Sequence, residues 1–172
     1  MPCKGGYRKQ VEEGKIQRER EQVYAQSAER KYWLALIDRV FKTSQGIAGL
    51  SQPEKTYYAV SCLIGEVYNG GFDQFFSNCS GELYGLALDG LFELGAENTA
   101  GLLVQAKEVL FGDQTVPIDH SARHSLMPTV GNDSHPAWEK LDSLDKAFYK
   151  DPDQLAEKCT AYAICNHLYE DS

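Results

Sequence analysis

Apolar residues recur at three- and four-residue spacing through most of this chain. Each such stretch is bracketed by a capping residue or proline before it and, often, a glycine after it. That spacing puts an apolar stripe on one face of a helix, and such a stripe is stable only when buried against a neighbour. Ser51-Gln52-Pro53-Glu54 holds the residues of a capping box with proline in the first turn. It opens a helix over about 53–68 that buries Tyr57, Val60, Ile64 and Val67. Asn69-Gly70-Gly71 breaks that helix, because paired glycines admit positive φ. A short helical piece at 72–78 and a second break at Cys79-Ser80-Gly81 follow. Further helices are predicted over about 82–94, 98–111 and 136–149. The first of these offers Leu83, Leu86, Leu91 and Phe92 for packing and ends at a left-handed Gly95; the second ends at Gly112. The last helix starts at Asp151-Pro152, with Asp151 as cap and Gln154 at the capping-box position, and carries Leu155, Cys159, Tyr162, His167 and Leu168. No segment alternates as a strand would. The pattern predicts an all-α fold, a compact bundle of about six to seven helices with a charged helical arm at its N-terminus.

That arm belongs to a first helix expected over about 7–42. From Lys9 to Arg30 it is dense in charge and nearly without apolar residues, whereas Trp33, Leu36, Ile37, Val40 and Phe41 form a stripe. The chain is therefore divided into an arm, 1–28, and a single helical domain, 29–172. Residues 113–135 hold Pro117, Pro128, Gly131 and three histidines without a period, and are expected to be a long loop.

Charge follows the same division. The net charge is −8. Residues 1–42 carry ten Lys/Arg against six Asp/Glu, and residues 43–172 hold seven against nineteen. Between 66 and 135 ten acids face only Lys107 and Arg123. Such a body repels nucleic acid and anionic membranes and attracts basic protein surfaces. No apolar run approaches the roughly 20 residues that span a bilayer, and the first residues lack the apolar stretch of a secretory signal. A cytoplasmic location is expected. Cys3, Cys62, Cys79, Cys159 and Cys165 have neither framework nor zinc spacing, and Cys62, Cys159 and Cys165 are expected to be small buried hydrophobes.

Two places hold chemistry. In the string Glu66-Val67-Tyr68-Asn69-Gly70-Gly71-Phe72-Asp73-Gln74-Phe75-Phe76-Ser77-Asn78, an enzyme would use Glu66 or Asp73 as general base and Asn69, Gln74 and Asn78 to orient substrate. The preferred alternative is a structural corner whose amides and acids satisfy backbone groups while Phe72, Phe75 and Phe76 fill the core. His120 and His124 have helix-face spacing but lack the Glu of a zinc-protease helix, so no metal and no cofactor is expected. His167 is expected to be a packing residue. The second place is a set of acids. Asp89 and Glu93 are separated by a rise of about 6 Å on one helix face, close to the roughly 7 Å between neighbouring DNA phosphates. Glu82 precedes them and Glu97 continues the row, with no interleaved lysine; Asp113 and Asp119 lie further on. The acids of 139–158 instead alternate with Lys140, Lys146, Lys150 and Lys158, as on an ordinary solvated face.

The string from Gly65 to Asn78, with Gly81 and the Ala87-Leu88 and Gly95-Ala96 pairs, resembles a bacterial family of helical domains whose best-understood members are DNA-mimic proteins. The resemblance runs from about residue 30 to about 170. It implies a helical homodimer whose surface carboxylates occupy the DNA-binding face of a basic partner, such as a repressor or nucleoid protein. The expected function is a non-enzymatic DNA mimic, and the local charge pattern, not the resemblance, names Glu82, Asp89, Glu93, Glu97, Asp113 and Asp119 as its partner-binding acids. The alternatives are an interaction or immunity-type protein using a groove near Asn69–Asn78 and, less favoured, a hydrolase using Glu66 and Asp73.

Overall fold

The computed structural model describes residues 14–18, 22–128 and 136–170. Their regular structure is helical throughout, so the fold is all-α, with no strand among the described residues. No helix among them is long and apolar enough to cross a membrane. The chain falls into two compact units, Met1–Gly49 with His167–Ser172, and Leu50–Asn166.

In the first unit, helix α1 spans Ala28–Lys42 and a 3-10 turn spans Gly46–Gly49. Residues 14–18 and 22–26 are also helical, while 1–13 and 19–21 of the expected arm lie outside the described residues. The single helix expected over 7–42 is interrupted at Ser27 (φ −63°, ψ 154°). Its hydroxyl accepts the Arg30 N–H at 3.1 Å, a local bond that competes with helix continuation and starts α1 afresh. Glu29 in the first turn and Arg39 and Lys42 in the last complement the helix dipole. Of the expected stripe, Leu36 is buried, but Phe41 is 73% exposed.

The second unit is built on α2, Gln52–Ser77. The capping box forms as its residues require. The Ser51 hydroxyl accepts the Glu54 N–H, and the Glu54 carboxylate accepts the Ser51 N–H at 2.8 Å. A 3-10 turn, Cys79–Leu83, leads into α3 (Tyr84–Glu93). Then come α4 (Glu97–Phe111), α5 (His120–Leu126), α6 (Pro136–Phe148) and α7 (Leu155–Cys165). Helices α3, α5, α6 and α7 all pack on α2, and α4 packs on α3 and α6. The core runs along α2 through Val60, Leu63, Val67, Phe72, Phe75 and Phe76, none of which is exposed. Edge-to-face rings extend it: Phe72 on Phe148 at 5.6 Å and Phe76 on Phe111 at 5.4 Å. Gly90 lets α3 lie close to α2, since a Cβ there would stand 2.9 Å from a Val60 methyl.

Several local expectations are corrected. The segment 113–135 is not loop throughout: Asp119 caps α5 by accepting the Ala122 N–H at 2.8 Å, and seven residues are too few to show a period in sequence. The last helix begins at Leu155, because Asp151 and Gln154 both adopt positive φ (48° and 54°); Asp151 still contributes by accepting the Leu155 N–H. It ends at Cys165, so His167, with φ 54°, and Leu168 lie beyond it. Cys165 and Phe92 are exposed, each on the outer face of its helix, and Cys62 is only partly buried.

Candidate functional site

The glycine-rich corner is a kink inside α2. Gly70 has φ −159° and ψ 23°, and Gly71 has φ 77°. A side chain at Gly71 would be strained by that φ and would strike the Asp145 carboxylate of α6. Asp145 accepts the Phe72 N–H at 2.8 Å and so caps the second half of α2 from 73 residues away. Burial raises its carboxyl above the ordinary value, with the Phe72 bond acting against this and Asp142 and Asp73 adding to it. Glu66 receives three donors: Gln74 Nε2 at 2.6 Å and Asn78 Nδ2 at 2.9 Å on one oxygen, and Ser80 Oγ at 2.9 Å on the other. The carboxylate thus ties the helix before the kink to the turn after it. Asn69 is exposed beside the stacked rings of Tyr68 and Tyr149, 5.7 Å apart.

Asp73 stands apart from Glu66. Its Oδ1 is buried with no hydrogen-bond partner, and burial raises its carboxyl while nearby His124 lowers it. The His124 ring lies 4.8 Å from that of His120 on α5. No cluster of three or more potential metal ligands occurs among the described residues, which exclude His135. The Cys62 thiol is pushed up to about 12, chiefly by burial, which leaves it inert as a nucleophile.

The side chain that fixes the neighbouring surface is Arg123, which sequence reasoning counted only as a charge. It is 1% exposed, and no carboxylate accepts a hydrogen bond from it among the described residues. Its guanidinium donates to four backbone carbonyls: Phe76 (2.7 Å), Asn78 (2.7 Å), Pro117 (2.8 Å) and Ile118 (2.9 Å). Two of these lie at the C-terminal end of α2, where the helix dipole favours a cation. Gly81 makes room for it, since a Cβ there would stand 2.5 Å from Nε. Arg123 therefore holds the 3-10 turn, the 113–118 segment and α5 together, and its charge is withdrawn from the surface. No local signal marks this role; only the Asp119 cap four residues on its N-terminal side hints that it sits on a helix.

The six acids separate into two kinds. Glu82, Asp89, Glu97 and Asp113 are exposed and accept no hydrogen bond among the described residues. Glu93 and Asp119 are engaged: Glu93 accepts from Thr56 Oγ1 and Tyr162 OH, each at 2.9 Å, and Asp119 is the α5 cap. The row from Asp89 to Glu97 is not free of lysine, which corrects the expectation. Lys158 of α7 donates to the Gly95 carbonyl, at the break between Glu93 and Glu97. Gly95 adopts φ 65° at this break, and Lys158 is close enough to buried Asp153 to act on its carboxyl. Asp153 caps α4 by accepting the Thr99 N–H (2.7 Å), Thr99 Oγ1 (2.8 Å) and Asn98 Nδ2 (2.8 Å). Burial alone would raise this carboxyl, but those bonds and Lys158 hold it below the ordinary aspartate value. Within 66–128 the exposed side chains are thus more acidic than a count of charges implies. Arg123 is buried, and Lys107, the other cation of that stretch, has its Nζ bonded to the Gly112 carbonyl at 2.8 Å. The cation added to the row is Lys158 from α7.

Residues 48–167 match the DMP19-like protein family, and the chain belongs to it. The match begins later than the resemblance near residue 30 suggested and leaves α1 outside. No curated protein and no solved structure matches the chain.

Proposed function

We propose that this member of the DMP19-like protein family is an acidic DNA mimic, which binds the DNA-binding surface of a basic protein and blocks it. The observation that carries the reading is the withdrawal of Arg123 from the surface. It leaves Glu82, Asp89, Glu97 and Asp113 exposed and unbonded, while the ammonium of Lys107 is bonded to the Gly112 carbonyl and that of Lys158 to the Gly95 carbonyl. Carboxylates so disposed attract arginine and lysine side chains arranged for phosphates. Glu93 and Asp119 contribute charge to the face from fixed positions. We read the role as binding rather than catalysis, a reading supported by Glu66, one of the two candidate bases, which already has donors on both oxygens. The homodimer that the family resemblance implies would double the acidic face, and light scattering of the full chain tests it.

The experiment is affinity purification from the native cell, followed by displacement of duplex DNA from each recovered DNA-binding protein. Displacement is expected to weaken steeply from low to high salt. It is also expected to be lost when Glu82→Gln, Asp89→Asn, Glu97→Gln and Asp113→Asn are combined. Displacement that withstands both changes would end the mimic reading. A second reading, contact with a partner at the corner near Asn69–Asn78, is favoured by the exposed Tyr68–Tyr149 stack beside Asn69. It requires that Asn69→Ala abolish partner capture while the four acid substitutions leave it intact.

A further inference from the structure

A groove of about 590 Å³ lies where the 3-10 turn and the first turn of α3 meet the segment after α4. Its apolar surface comes from Tyr84, Leu86, Val116 and Ile118, and Ile118 is 76% exposed. Within α3, Gly85 leaves the helix backbone uncovered: a Cβ added there would meet no atom within 4 Å. Two exposed carboxylates, Glu82 and Asp113, line the same groove and accept no hydrogen bond among the described residues. Lys107 also lines it, but its ammonium is committed to the Gly112 carbonyl. Thr115 and Val116 lie outside any helix, and neither N–H makes a backbone hydrogen bond among the described residues. The groove therefore offers an apolar floor, two uncommitted negative charges and free backbone donors.

We propose that this groove receives an extended basic arm of the DNA-binding partner. One apolar side chain of the arm would rest on Tyr84, Val116 and Ile118, while flanking arginines or lysines meet Glu82 and Asp113. The proposal rests on the mimic reading above and adds shape to it. An open row of carboxylates attracts any cation, whereas a groove with an apolar anchor selects among basic segments. Many DNA-binding domains carry basic arms that enter the minor groove, an acidic-walled channel about 6 Å wide. An extended arm can also pair its own backbone with the unpaired groups at 115 and 116, as peptides do at a free sheet edge.

The test uses the full chain and two fluorescent peptides of equal charge, one alternating arginine with leucine and one alternating arginine with glycine, followed by anisotropy. The arginine–leucine peptide is expected to bind about tenfold more tightly, from burial of its apolar side chains. Gly85→Leu fills the floor with a better helix former and no change of charge, and should erase that preference while leaving the arginine–glycine peptide unaffected. Ile118→Ser, at a position with little to lose on folding, should reduce the preference about threefold. Equal binding of the two peptides, or a preference that survives both substitutions, overturns the groove assignment. In that case, loss of both peptides on Asp89→Asn with Glu97→Gln still upholds the acidic face. Failure of both peptides to bind at any salt overturns the groove and the mimic reading together.

Discussion

At the scale of single residues, the decisive side chain is a buried cation whose partners are all backbone. Four carbonyls depend on Arg123, and removing it leaves the buried Phe76 carbonyl and three part-buried ones without that donor. Arg123→Met is therefore expected to cost about 3–5 kcal/mol, measured by urea unfolding. Arg123→Lys should recover less than half of that, because one ammonium on a flexible stem cannot reach the four carbonyls that a planar fork spans. Asp73 works in the opposite sense. Burial raises its folded-state pKa, so the native state binds the proton more tightly than the unfolded chain does. Its charge costs stability above the folded pKa, and the cost is relieved as pH falls through it. Asp73→Asn is thus expected to stabilise the protein at neutral pH and to flatten its stability between the ordinary aspartate pKa and neutrality. A variant with an unchanged pH profile would show that the carboxyl has found a partner in solution.

Among the elements, α2 and α4 are each completed from a distance. Gly71→Ala forces a side chain into a positive φ and against Asp145, and is expected to destabilise by about 2 kcal/mol or more. Ser51→Ala removes only a local cap and should cost about 1 kcal/mol. The two changes compare a kink held by tertiary contact with a cap held by sequence neighbours. For α4 the cap is Asp153, whose folded pKa is depressed. Its contribution is present in full above the unfolded-state pKa and is lost as pH falls through the folded one. Thermal unfolding of Asp153→Asn should accordingly lose the part of the acid-limb slope that this group supplies.

For the whole molecule, the quantity that matters is the field of the exposed face. Lys158 interrupts the row between Glu93 and Glu97, so Lys158→Gln should quicken association with a basic partner at low salt, even as it weakens the Gly95 turn. Stopped-flow association at two ionic strengths would check this, and slower association of the variant would count against the acidic face. How much of this molecule was legible without coordinates follows the range of the forces involved. The helices, the Ser51–Glu54 box, the break at Gly70-Gly71 and the left-handed Gly95 were readable in the sequence. Each depends on residues within a turn or so of one another, where spacing, capping and the freedom of glycine act directly. Helix α5 escaped because it is too short for periodicity, and the interruption at Ser27 because a strongly charged pattern hides a cap. The sequence by itself therefore determined an all-α chain with an acidic middle. Which acids stay free, which cation is buried and where a groove opens were decided by tertiary structure alone. Those outcomes depend on bonds from Arg123 to Phe76, Lys158 to Gly95 and Asp145 to Phe72, spanning 47, 63 and 73 residues. Over such separations a linear pattern holds no distance, and only the packing of α2 against its neighbours brings the partners together.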